Sequence, residues 1–123
     1  MSREISELTP KTQVLYHQFD AKMKEAGIDY IVTCTYRTPE EQAALYAQGR
    51  TLPGIKVTWT LYSNHSKRTA FDIVLIKNGK ADWNDKNPDW QKAGEIGVKV
   101  GLDWGGNWPA KKQDKPHFQL PVA

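Results

Sequence analysis

The sequence predicts an α+β fold: a small, largely antiparallel sheet with about three helices packed against it. Three observations lead there. Helical and extended signals are interleaved without the regular strand–helix–strand alternation that builds a parallel sheet. Asn78-Gly79 separates two strand-like runs and marks a two-residue hairpin, which makes its strands antiparallel. Three further segments each carry a helix start signal and a glycine stop.

The first of these begins at Thr9-Pro10, threonine as N-cap and proline at the first helical position. Leu15, Phe19, Met23 and Ala26 recur at helical spacing, and Gly27 closes the segment as a left-handed cap. "IDYIVTCTYR" follows, rich in β-branched and aromatic residues, and reads as a strand. In "RTPEEQAALYAQGR", Thr38 and Glu41 form a capping box around Pro39, and Gly49 ends the second helix. Residues 50–62 read as irregular, with a turn at Pro53-Gly54. "AFDIVLIKNGKADW" is the hairpin. A third helix starts at Asn87-Pro88, carries Trp90, Ala93, Gly97 and Val100 on one face, and stops at Gly101. The segment "LDWGGNWPAKKQDKPHFQL" reads as a loop that ends in a short strand from His117 to Leu120.

The length of 123 residues suits one domain spanning 1–123, large enough to bury a core without covalent staples. Cys34 is the single cysteine, which excludes a disulfide framework and a multi-cysteine zinc site; inside "YIVTCTY" it reads as an inert core thiol. Seventeen lysines and arginines against fourteen acidic residues give a net charge of +3. That mild excess steers the chain toward an anionic polymer. No dense basic run with interleaved aromatics is present, so no nucleic-acid partner is expected. Five tryptophans are many for this length; most read as core filler, and a ligand groove would also use them. The N-terminal "MSREISELTPK" has no apolar core or cleavage pattern, and no run reaches membrane-spanning length. The expectation is synthesis in a cytoplasm, with no signal peptide and no membrane anchor, and release by another factor if the protein works outside.

Of the three histidines, His17 lies within the first helix and reads as a surface or boundary residue. His65 and His117 each lie where a loop meets a strand, with Asp72 and Asp114 close in sequence. Catalytic zinc takes three ligands from histidine and carboxylate and keeps a fourth position for water. His65, Asp72 and His117 would supply such a set. Asp114 would be the unligated carboxylate that moves the water's proton. By spacing alone, solvated polar loops satisfy the same pattern.

The pattern read whole goes further. "SNHSKRTAFD" resembles the Ser-x-His-x-x-Gly-x-Ala-x-Asp motif of the zinc D-alanyl-D-alanine and L-alanyl-D-glutamate peptidases, and "DKPHFQ" resembles their second motif. "TYRTPEEQAALYAQGR", "GRTLPGIKVT" and "WGGNW" are similar to segments of the phage-endolysin branch, so the resemblance runs in order over roughly residues 30–120. It implies a hedgehog/D,D-peptidase-like fold with a zinc site at the sheet edge, Zn²⁺ on His65, Asp72 and His117, and Asp114 as general acid/base. It implies Arg37 beside the scissile carbonyl and Ser63 as a substrate-contacting or supporting residue. Trp104, Trp108 and Gln119 fall in segments that border the site. Position 68, glycine in the motif, is arginine here. Either the loop takes another path or the position needs no positive φ. The function implied is hydrolysis of the L-alanyl-D-glutamate bond of the peptidoglycan stem peptide by a monomeric, lytic enzyme acting on the cell wall. The alternatives are a D-alanyl-D-alanine carboxypeptidase and a non-catalytic, zinc-containing wall-binding module.

Overall fold

In an extended strand, successive side chains point to opposite faces. In β2 (Ala70–Lys77) this puts Phe71, Ile73 and Leu75 on one face and Ala70, Asp72 and Val74 on the other. The computed structural model describes residues 1–58, 60 and 63–121. Its sheet runs β1 (Tyr30–Cys34), β2, β5 (His117–Gln119), β4 (Asp103–Trp104), and β3 (Lys80–Asp82) also pairs with β2; every pairing is antiparallel. Phe71 stands opposite Phe118, Asp72 opposite His117 and Ala70 opposite Gln119. The register that stacks the Phe71 and Phe118 rings, 5.5 Å apart at 13°, therefore brings Asp72 beside His117 on the reverse face.

The helices α1 (Pro10–Glu25) and α3 (Asp89–Val100) pack against each other and cover the phenylalanine face. α1 buries Thr12, Tyr16, Phe19 and Met23, a stripe of helical period, with the Phe19 ring 4.8 Å from that of Phe118. Leu15 is half-buried, and Ala26 is exposed at the C-cap rather than continuing the stripe. α3 approaches closely because Gly94 has no side chain: a Cβ there would lie 2.2 Å from the Trp104 indole. α2 (Pro39–Ala47), started by the expected Thr38–Glu41 capping box, buries only Gln42 and flanks the sheet's other face.

The Asn78-Gly79 hairpin forms as expected, both residues at positive φ. β4 and two 3-10 turns, Ile5–Glu7 and Gly105–Asn107, occupy segments in which no regular structure was expected. They are two or three residues long, too short for a periodic signal. The irregular stretch 50–62 includes residues 59, 61 and 62, which lie outside the described residues. Trp90 and Trp104 are core, whereas Trp83 and Trp108 line a cleft. Among the described residues no helix is long and apolar enough to cross a membrane.

Arg68 does not relax the turn at the motif glycine's position. It adopts φ 64, the left-handed conformation that glycine would take, and the loop turns there all the same. Its guanidinium lies 3.9 Å over the Tyr36 ring and pairs with Glu7, while its carbonyl accepts from Thr9 N at 3.0 Å. The backbone conformation costs about 1–2 kcal/mol; the cation–π contact and exposed ion pair together return about 1 kcal/mol. Arg68→Gly is therefore expected to change stability by less than about 1 kcal/mol. Arg68→Ala keeps the strain and loses the contacts, so it should be the less stable of the two by about 1 kcal/mol or more in denaturant unfolding. The reverse order would remove strain as the deciding effect.

Candidate active site

The loop before β2 is built from its own hydrogen bonds. Ser63 Oγ accepts from His65 N at 3.1 Å, Ser66 N donates to Ser63 O at 3.1 Å, and Arg68 N donates to His65 O at 3.1 Å. This turn sinks His65 until it is 2% exposed. Its Nδ1 lies 3.0 Å from the carbonyl of Thr35, just after β1. A carbonyl only accepts, so Nδ1 carries the hydrogen of the neutral ring. Nε2 then presents a lone pair. It is buried, makes no hydrogen bond, and lies 3.2 Å from Asp72 Oδ1.

His117 meets the same oxygen from the other side, with Nδ1 3.0 Å from Asp72 Oδ1. Its Nε2 lies 2.7 Å from Gln119 Oε1, which also accepts from Asn64 Nδ2 at 2.9 Å. Two imidazole lone pairs thus face one carboxylate oxygen in a largely buried space, an arrangement that calls for a proton or a cation between them. The donor atoms of His65, Asp72 and His117 lie within 4.8 Å of one another, close to the span that metal–ligand bonds of about 2 Å allow. Without a cation His65 holds on to its proton. Burial opposes charge on His65, yet Asp72 and the Cys34 sulfur raise its pKa to about 10. Burial also works against the Asp72 carboxylate, but His117 and then His65 hold it well below the usual range.

Asp114 stands apart from this trio. Its amide donates to Gly105 O at 3.0 Å, and its carbonyl accepts from His117 N at 3.1 Å. A Cβ at position 105 would lie 2.2 Å from the Asp114 carbonyl, so glycine is required for that approach. The Asp114 side chain opens on the cleft. The surrounding walls, and then the Asp72 charge, raise its pKa above the ordinary value, against the pull of His117, His65 and Arg37. Arg37 is fixed by Gln42: Nη1 donates to Gln42 Oε1 at 2.6 Å, and fully buried Gln42 donates through Nε2 to Thr60 O at 2.6 Å. Nη2 reaches Cys34 Sγ at 3.8 Å.

Arg37, Ser63, His65, Asp72, Asp114 and His117 all line one cleft of about 870 Å³, within the range of small-ligand sites. Ser63 has its oxygen engaged by the backbone of His65, a supporting contact. His17 is exposed on α1 outside this cleft. Cys34 is buried as expected, but on the site's face of β1, opposite Asp72. The residues not expected were Gln42, Asn64, the Thr35 carbonyl, and the part played by Gln119. Gln119 had a usable signal: on a strand, two residues from a ligand candidate is the same face. Gln42 had none, because a glutamine in a polar helix does not announce its burial.

Residues 56–120 match the D-alanyl-D-alanine carboxypeptidase family. Over 125 aligned positions the chain is 34% identical to the peptidoglycan L-alanyl-D-glutamate endopeptidase CwlK of Bacillus subtilis strain 168, covering 94% of this chain and 74% of that protein. Its fold is similar to that of the Serratia marcescens L-Ala D-Glu endopeptidase ChiX, with a TM-score of 0.75, 20% identity, and coverage of 95% and 83% of the two chains. It is also similar to the LdcB LD-carboxypeptidase, with a TM-score of 0.72, 16% identity and coverage of 98% and 63%. The chain belongs to the D-alanyl-D-alanine carboxypeptidase family, a family of metal-dependent peptidases, and is an enzyme of that class.

Loading with a divalent metal at about 100 times its Kd is expected to stabilise the protein by about 2.7 kcal/mol. Thermal unfolding should show the shift in the wild type and lose it in His117→Ala; an equal shift in both would place the metal elsewhere. Gln119→Met removes the acceptor that orients His117, and is expected to weaken metal affinity by about 10- to 100-fold in a chelator competition. Gln119→Glu retains an acceptor oxygen and should recover most of it; equal losses would mean that packing, not the hydrogen bond, is at work.

Proposed function

We propose that this protein hydrolyses the L-alanyl-D-glutamate bond of the peptidoglycan stem peptide. The observation that carries the reading is an unligated carboxylate, Asp114, on the same cleft as a His65–Asp72–His117 cluster and the anchored guanidinium of Arg37. The 34% identity to a protein named for that cleavage supports the choice of bond. His65, Asp72 and His117 are the residues that would hold the metal, and two imidazoles with one carboxylate suit zinc. When bound, the ion supplies Lewis acidity toward water and the scissile carbonyl.

The chain's own groups divide the remaining work. Asp114, its basicity raised by the desolvating walls of the cleft and by Asp72, takes the proton of the attacking water and delivers it to the amine of the departing D-glutamate. Arg37 faces the negative charge that develops on the carbonyl oxygen; its bond to Gln42 keeps the guanidinium in place through the reaction. Asn64 and Gln119 hold the two histidine-bearing segments together, so the rings keep one tautomer and one orientation. The protein acts on the cell wall as a monomer, and cutting the stem there weakens the wall toward lysis.

The test is mass spectrometry of products from purified peptidoglycan. New N-terminal D-glutamate is expected, while released D-alanine would assign carboxypeptidase activity instead. Asp114→Asn should lower turnover by at least about 100-fold with metal content unchanged, and Arg37→Ala by about 10- to 1000-fold, also with metal retained. Full activity in Asp114→Asn would remove it as the acid/base. An active site without turnover in the metal-loaded wild type would favour a wall-binding module.

A further inference from the structure

The cleft continues past the reacting groups to an indole that the hydrolysis above does not use. Trp83 is 59% exposed, an uncommon state for the largest apolar side chain, and it lines the same cleft as Asp114 and His117. It follows β3 on a loop that satisfies its own polar groups. Asp82 accepts from Asn84 N at 2.9 Å and from Asn87 Nδ2 at 2.8 Å; Asn84 Oδ1 accepts from Lys86 N at 3.1 Å; Asn87 Oδ1 accepts from Asp89 N at 2.9 Å. The loop is also tied to the segment that bears the acid/base, since Lys115 Nζ donates to Asp85 O at 2.8 Å. Behind the exposed ring lies buried Trp90, nearly parallel at 21° with centroids 6.4 Å apart. The ring thus has Trp90 beside it, on a loop whose polar groups are satisfied and which Lys115 ties to the segment that carries Asp114.

An indole held in this way loses little conformational freedom when something flat settles on it. The C–H groups on one face of a pyranose carry slight positive charge and match the negative face of a π-system. The polymer itself puts a pyranose nearby. The stem peptide hangs by its first residue, L-alanine, from the lactyl group of a muramic acid, and the bond proposed to be cut follows that residue. One residue spans at most about 3.6 Å, so the sugar lies only a few such lengths from the scissile carbonyl. A cleft that seats this bond therefore has the sugar within a few residue lengths, and Trp83 lines that cleft.

We propose that Trp83 is the platform of a saccharide subsite that receives the glycan-strand sugar bearing the stem peptide. This rests on the cleavage reading above. Trp83 is a specificity-determining residue and takes no part in proton transfer. It sets a preference for stems still attached to glycan over free peptide.

Two measurements on the full metal-loaded chain test this. In the first, kcat/KM is compared between Trp83→Ala and the wild type on a muramyl stem peptide and on the same peptide without sugar. Loss of one aromatic contact should lower the value by about 5- to 10-fold on the muramyl substrate and leave the sugar-free peptide unchanged. Equal losses on both, or none on either, would overturn the subsite. In the second, wild type and Trp83→Ala are sedimented with glycan strands stripped of peptide by an amidase. The wild type should co-sediment and the variant should not; equal sedimentation would overturn the proposal. Glycan binding that depends on Trp83 in a protein that cuts neither substrate would uphold the subsite and refute the cleavage reading. Cleavage of both substrates with no effect of the substitution would do the opposite.

Discussion

One carboxylate oxygen, Asp72 Oδ1, faces two imidazole nitrogens at 3.0 and 3.2 Å, and the rest of the site is arranged to make that meeting stable. Each histidine has its outward nitrogen engaged by an acceptor, Thr35 O for His65 and Gln119 Oε1 for His117. In the neutral rings the inward nitrogens then carry the lone pairs. A carboxylate in such surroundings would be costly without positive charge beside it. A metal ion held by His65, Asp72 and His117 would answer that need in place of the proton that the Asp72–His65 pair otherwise retains, so metal binding and folding are expected to be linked.

The core and the site are two faces of the same strands. On β5, Phe118 enters the core while His117 and Gln119 turn to the cleft; on β2, Phe71 and Asp72 divide in the same way. A one-residue slip between β2 and β5 would set phenylalanine against Asp72 or His117 instead of against phenylalanine. The stacked Phe71–Phe118 pair therefore holds Asp72 and His117 in register as surely as it fills the core. The bulge between Val32 and Cys34 serves β1 likewise, setting Cys34 opposite Asp72 and leading the chain to Thr35 and Arg37. The candidate metal residues are thus carried by strands that also form the core. Asp114 and Trp83 sit on loops tied to them and to each other through Gly105 and Lys115.

Much of this was legible in the sequence, and the limits have physical causes. Helix boundaries followed from threonine caps, prolines and terminal glycines, because those residues act locally. The Asn78-Gly79 hairpin was equally local. The pairing of Asp72 with both histidines was not, since it depends on a strand partnership between segments 45 residues apart, the separation of Asp72 and His117. Only agreement of several motifs in order made the trio readable. Gln42, Asn64 and Gln119 act through contacts made only after folding. At Arg68 the sequence pointed to a changed loop or a relaxed conformation. The conformation is not relaxed: a stacked and paired arginine takes the left-handed turn, in contact with Tyr36 and Glu7, both distant in sequence. Trp83 looked like any other tryptophan until its loop showed that it stays at the surface.

The most direct measurement is an X-ray absorption spectrum of the metal-loaded protein at the metal's edge. Two imidazole nitrogens and one carboxylate oxygen at about 2.0–2.2 Å, with one further light atom, are expected. The spectrum of Asp72→Asn should lose the carboxylate contribution. A first shell with one imidazole or none, or a spectrum indifferent to that substitution, would contradict the meeting of His65, Asp72 and His117 around a single ion.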